Sequence, residues 1–268
     1  MQDLMKGKRG LIMGIANDHS IAWGVAKAVA AQGAELAFTY QGEALGKRVK
    51  PLAEQLAVDT VLSCDVEDIA SVDAVFEALR AKWGRLDFLV HAIGFSDKNE
   101  LKGRYADTTR ANFSRTMLIS CFSFTELARR AAELMTGTGG SMITLTFGGS
   151  VRVMPNYNVM GVAKAALEAS VRYLAADFGP RNIRVNAVSA GPIRTLAGSG
   201  IGDARAMFAF QQKNSPLGRG VTLEELGGSA LYLLSDLSGG VTGEIHYVDS
   251  GYNVISMPRP EALKSVVE

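Results

Sequence analysis

The chain has 268 residues, 47% of them apolar, and a formal net charge of +1. That length suits one large α/β domain or two small ones, and the near-neutral charge gives no reason to expect nucleic acid or another polyanion as partner. Cys64 and Cys121 are too few for a disulfide framework, and His19, His91 and His246 are too scattered for a metal site.

The start, MQDLMKGKRGLIMG, holds only a strand-length apolar run, so no secretory leader is expected, and no run approaches the eighteen or more apolar residues of a membrane span. A cytoplasmic setting is the default. From there, short apolar runs alternate with helical stretches. GLIMG (10–14) precedes a helix over 20–33, then ELAFTY (35–40). TVLSCDV (60–66) precedes a helix over 71–84, and LDFLVHAIG (86–94) follows. A long helix is expected over 110–135, a strand at SMITLTF (141–147), and a helix over about 157–178. IRVNAVSAG (183–191), a helix over 222–236 and EIHYVD (244–249) complete the series. Near-continuous apolar strands separated by helices predict a doubly wound, Rossmann-type parallel sheet of about seven strands, covered on both faces, in one domain over 1–268. The segment 192–221 breaks the rhythm. It carries Leu196, Ile201, Met207, Phe208 and Phe210 among glycines, and is expected to be a substrate loop; extra helices packing on the core are the alternative.

Several strand ends suit a nucleotide. The first βα junction, GIANDHSIAWG, lacks the G-x-G-x-x-G pattern. Gly14 permits the tight turn, and Ser20 is a candidate cap for a helix whose first amides would face a pyrophosphate. Asp65, in CDV after the third strand, can accept an adenine amino group, or simply be a loop acid before a helix. Gly94, after Ile93 and Ala92, leaves room for a sugar. At the end of the second strand Gln41 is neither the acid typical for NAD nor the base typical for NADP. Lys47 and Arg48 lie beyond it, on a helix facing solvent, and the balance favours NADH.

In PNYNVMGVAK, Tyr157 and Lys164 are seven residues apart. Seven helical steps return to within roughly 20° of the starting direction after about 10 Å of rise, so the two can share one face. Any such pair taken alone could be an interfacial tyrosine and a solvated lysine. Met160 between them is either core filler or a substrate contact.

Together GIANDHSIAWG, ELAFTYQ, CDV, HAIGF, Y-x-x-M-x-x-x-K and RVNAVSAGPIRTLA resemble the bacterial NADH-dependent enoyl-acyl-carrier-protein reductases, in the divergent branch of the short-chain dehydrogenase/reductase superfamily. The resemblance implies reduction of a trans-2-enoyl thioester carried on acyl carrier protein, in a homotetramer, with NAD as cofactor. It implies that Tyr157 donates to the thioester carbonyl and Lys164 binds the nicotinamide ribose. Gly14, Ser20, Ile21, Gln41, Asp65, Val66, Ile93, Ile193 and Thr195 would line the cofactor, and Ser96 and Met160 the acyl thioester. One position departs: Phe147 stands where the family has a tyrosine, which keeps an aromatic wall and loses a hydroxyl. Lys164 is further expected to lower the pKa of the Tyr157 phenol. A carbonyl reductase of the same superfamily and a non-catalytic NAD-binding regulator are the rival readings.

Overall fold

In the computed structural model the described residues are 3–137, 139–196 and 203–258. Apolar runs become β1 (Arg9–Met13), β2 (Glu35–Tyr40), β3 (Thr60–Ser63), β4 (Phe88–His91), β5 (Gly140–Thr146), β6 (Ile183–Ala190) and β7 (Ile245–Val248). They form one seven-stranded sheet in the order β3-β2-β1-β4-β5-β6-β7, every neighbouring pair parallel. The order reverses between β1 and β4, which opens a crevice beyond their carboxyl ends.

Alternation along each strand feeds two cores. Leu11, Met13, Leu89 and Val185 pack with α3 (Ile69–Trp83), α5 (Ser123–Leu134) and α6 (Asn158–Phe178) on one face. Ile12, Phe38, Val90 and Val188 pack with α1 (Ile21–Ala30), α2 (Gly42–Gln55) and α8 (Leu223–Leu234) on the other. Lys47 and Arg48 lie on α2 and face solvent, as expected.

The single helix expected over 110–135 is broken. α4 (Arg110–Met117) runs into a π turn at Leu118–Phe122 before α5 begins. Ser123 Oγ donates to the Ile119 carbonyl at 2.6 Å, and the widened turn lets Ser120 Oγ reach the backbone of Phe95, accepting from its N–H and facing its carbonyl at 2.9 Å each. Such a bulge re-aims a side chain within an otherwise regular helix. Segment 192–221 contains one described helix, α7 (Ala204–Asn214), while 197–202, including Ile201, lies outside the described residues. Among the described residues no helix is long and apolar enough to cross a membrane.

Candidate active site

The crevice holds a cavity of about 390 Å³. Its wall brings together Gly14, Ser20, Ile21, Ile93, Gly94, Ser96, Phe147, Tyr157, Met160, Lys164, Ile193 and Thr195. Gln41, Asp65 and Val66 stand apart at the ends of β2 and β3, where Gln41 Nε2 donates to Asp65 Oδ2 at 2.9 Å. Leu196 and Phe208, from either side of 197–202, also line the cavity.

Tyr157 sits one residue before α6, and local backbone chemistry aims it. Asn156 (φ 57°) and Asn158 (φ 34°) flank it in left-handed conformations, which asparagine tolerates better than most side chains. Asn158 Nδ2 donates to the carbonyls of Glu100 and Gly103 at 3.2 and 3.3 Å, tying the turn to the loop beside it. A Cβ on Gly149 would lie 2.5 Å from the Tyr157 ring, and one on Gly161 2.8 Å from the Gly149 carbonyl oxygen. The ring therefore lies directly on glycine backbone. Phe147 meets it edge-on, with centroids 5.4 Å apart and planes at 68°. This arrangement suits two aromatic quadrupoles.

Lys164 is buried, and its Nζ donates to the Leu145 carbonyl at 2.8 Å. Burial takes its pKa down to about 8, with Cys121 and Glu168 acting the other way. Contrary to the expectation from sequence, the Tyr157 phenol is pushed up, by burial first and by the Glu168 charge second. Desolvation of the phenolate sets the direction, so the phenol stays a proton donor.

A second expectation also changes. Ser20 occupies the N-cap position of α1 but makes no side-chain cap bond; its Oγ accepts from the N–H groups of Ala16 and Asn17 at 3.0 and 3.1 Å. The hydroxyl shapes the loop and leaves the helix end without a side-chain cap, which suits an anionic group of a ligand. Gly14 (φ 97°) is required here, since a Cβ would fall 2.1 Å from the Ala92 carbonyl oxygen. A Cβ on Gly94 would stand 3.8 Å from Lys164 Nζ, so its absence leaves space beside the ammonium. These features fit a dinucleotide: a narrow backbone cradle, an uncapped helix end, and a cation at the far end. Among the described residues no group of His, Cys, Asp and Glu could hold a metal ion.

Residues not singled out from the sequence also shape the site. Asn112, buried, accepts from Asp97 N–H at 3.0 Å through Oδ1 and donates to Ser96 Oγ at 3.2 Å through Nδ2, fixing the loop after β4. Arg115 makes a two-pronged pair with Glu67 and lies 4.6 Å from the Phe95 ring centroid. Neither had a local signal, because their partners are distant in sequence.

A doubly wound parallel sheet with this crevice at its strand-order reversal defines a dinucleotide-binding reductase fold. The enoyl-(acyl carrier protein) reductase family model matches residues 14–253, and the chain belongs to that family. It is 78% identical to enoyl-acyl-carrier-protein reductase (NADH) 2 of Rhizobium meliloti over 264 residues, 98% of each chain. It is 63% identical to reductase (NADH) 1 of the same organism, over 97% of this chain and 95% of that one. Among solved structures, FabI from Candidatus Liberibacter asiaticus superposes with a TM-score of 0.94 at 62% identity, covering 96% of this chain and 100% of that one. The reductase from Anaplasma phagocytophilum, in complex with NAD, has a TM-score of 0.93 at 58% identity, covering 96% and 98%.

Proposed function

We propose that the protein reduces the 2,3 double bond of trans-2-enoyl thioesters on acyl carrier protein, using NADH, in fatty-acid elongation. The observation that carries this reading is a buried, protonated phenol at Tyr157 sharing one cavity with the Lys164 ammonium. Gly14, Ser20, Ile21, Ile93, Gly94, Ile193 and Thr195 would hold the cofactor, with Gln41, Asp65 and Val66 at its adenosine end. Lys164 would meet the nicotinamide ribose. When bound, the reduced nicotinamide supplies a hydride to the β carbon of the substrate. Negative charge then collects on the thioester oxygen, where the Tyr157 hydroxyl donates a hydrogen bond that strengthens as the charge grows. The α carbon takes its proton from Tyr157 or from water. Ser96, Phe147 and Met160 would flank the acyl thioester, with the described parts of 192–221 covering it.

Further elements of this reading are a single working domain over 1–268, a cytoplasmic location and a homotetramer. Exposed Phe113, Phe122 and Tyr173 provide apolar surface for subunit contact, which sedimentation equilibrium would measure. Val171 and Leu174, on the same helix as Tyr173, belong to the core and add nothing to that surface.

The test is NADH oxidation with crotonyl thioester, run beside a 3-oxoacyl thioester. Tyr157→Phe should lower turnover by about a hundredfold, the scale of one lost oxyanion donor, with NADH affinity nearly unchanged. Equal turnover would remove the phenol from the mechanism. Preference for the ketone would make the protein a carbonyl reductase, and NADH binding without turnover of any thioester would make it a non-catalytic binder.

A further inference from the structure

The last two residues of β5 hold two buried, oppositely charged side chains. The Leu145 carbonyl accepts from Lys164 Nζ at 2.8 Å, and Thr146 Oγ1 donates to Glu168 Oε1 at 2.6 Å. Lys164 and Glu168 are one turn apart on α6, and both are buried. Four residues of separation put them on one helix face, yet each is tied to the strand rather than to the other. Glu168 has no part in the steps above. A buried carboxylate without a use would be an expensive feature, because desolvation penalises its charge.

We propose that Glu168 is a positioning residue: its carboxylate, fixed by Thr146, keeps the buried Lys164 charged, so that an ammonium is available to the cofactor sugar. The proposal rests on the reading of Lys164 as the ribose contact. The other groups around the lysine cannot do this. His91, facing it from β4, is held neutral by burial and by Lys164 itself, its pKa taken down to about 3. Cys121, facing it from the π turn, has its thiol pushed up by burial, so it favours the ammonium only at alkaline pH where the thiolate forms. Tyr157 is likewise a neutral phenol. Among the described groups that favour the Lys164 ammonium, Glu168 is thus the one that acts on it at neutral pH. On its far side Glu168 faces Tyr247 of β7, whose phenol it pushes up after burial, with Arg152 beyond acting the other way.

The sign follows. Burial favours the neutral amine and the carboxylate favours the ammonium, so removing the carboxylate makes Lys164 lose its proton at lower pH. Glu168→Gln keeps the size and an acceptor for Thr146 while deleting the charge. NADH affinity, measured by fluorescence across the neutral and alkaline range, should fall off at lower pH in Glu168→Gln than in the wild type. For a shift of one pKa unit the variant should bind about fivefold more weakly at the wild-type midpoint and about tenfold more weakly well above it. Glu168→Asp should restore most of the wild-type midpoint, and Thr146→Val should move it in the same direction as Gln but less far. A purely structural role would lower affinity at every pH with the midpoint fixed, and that result would overturn the proposal. Lys164→Met separates the two levels. If it binds NADH as the wild type does, the ribose reading fails and this proposal with it. If it loses NADH while Glu168→Gln titrates like the wild type, the proposal alone fails.

Discussion

Phe147 shows how one side chain sets the shape of the site. Its ring lines the main cavity and also a smaller one of about 50 Å³ behind it, with Val151, Met154 and Tyr252 on the far wall. Ala190, Gly191 and Pro192 line both as well, so Phe147 is one part of the partition between the two. Phe147→Ala would join them and would also take away the edge contact that steadies Tyr157. We therefore expect two opposite effects in a chain-length series. Turnover of crotonyl thioester should fall, because the phenol loses a packing neighbour, while kcat/KM for long enoyl chains should rise relative to it. A uniform loss at all lengths would mean that the smaller cavity takes no part in substrate choice. The family resemblance marked Phe147 as the place of a lost hydroxyl with an aromatic wall kept. The cavity behind it was not legible, since its walls come from segments a hundred residues apart.

Among elements, the strands were the legible part. The central ones are apolar runs buried on both faces, the edge strands β3 and β7 are only partly buried, and the parallel order follows from the helices between them. The breaks were harder to read. The π turn at 118–122 is set by contacts of Ser123 and Ser120, and no periodicity in RANFSRTMLISCFSF announces it. The Ser20 capping expectation failed for a related reason: the hydroxyl has nearer amides in its own loop than in the helix. Spacing allowed Tyr157 and Lys164 one helix face and the resemblance made them a site pair, but their proton affinities depend on burial and on Glu168, which neither contains. The contact between α6 and the turn after β5 carries a prediction of its own. Gly149 and Gly161 let the two backbones meet under the Tyr157 ring, so Gly149→Ala must displace the ring or the turn. Overpacking of this kind costs about 1–3 kcal/mol. The expected result is a lower midpoint of thermal unfolding together with reduced enoyl turnover and little change in NADH affinity. Wild-type turnover in a folded Gly149→Ala protein would show that the ring position is not set there.

Across the whole molecule, one buried imidazole links the sheet to the helix layer beside the site. Ser123 gives its proton to the Ile119 carbonyl, so its oxygen accepts from His91 Nε2, 2.9 Å away. His91 Nδ1 is then the acceptor for the Thr144 hydroxyl at 2.8 Å, which assigns a single neutral tautomer from the network. The chain Thr144–His91–Ser123–Ile119 joins β5, β4, α5 and the π turn, all close to Lys164. Burial, then the Lys164 charge, takes the imidazole pKa from 6.5 down to about 3. In the unfolded chain the same group protonates near 6.5. Between those values the unfolded state binds a proton that the folded state refuses, so the stability due to this group is complete above about 6.5 and drains away as pH falls toward 3. Carboxylates titrate over part of the same range, and a variant isolates the histidine term. His91→Gln retains one donor and one acceptor but cannot take up a proton in that window. Urea unfolding at a series of acid pH values should show the wild type losing stability faster than His91→Gln as the pH is lowered. At neutral pH the variant should be the less stable of the two, because its amide fits the tautomer-specific chain less well, and the gap should narrow with acid. Parallel pH profiles for the two proteins would mean that the imidazole is not kept neutral in the fold, and the assigned tautomer would go with it.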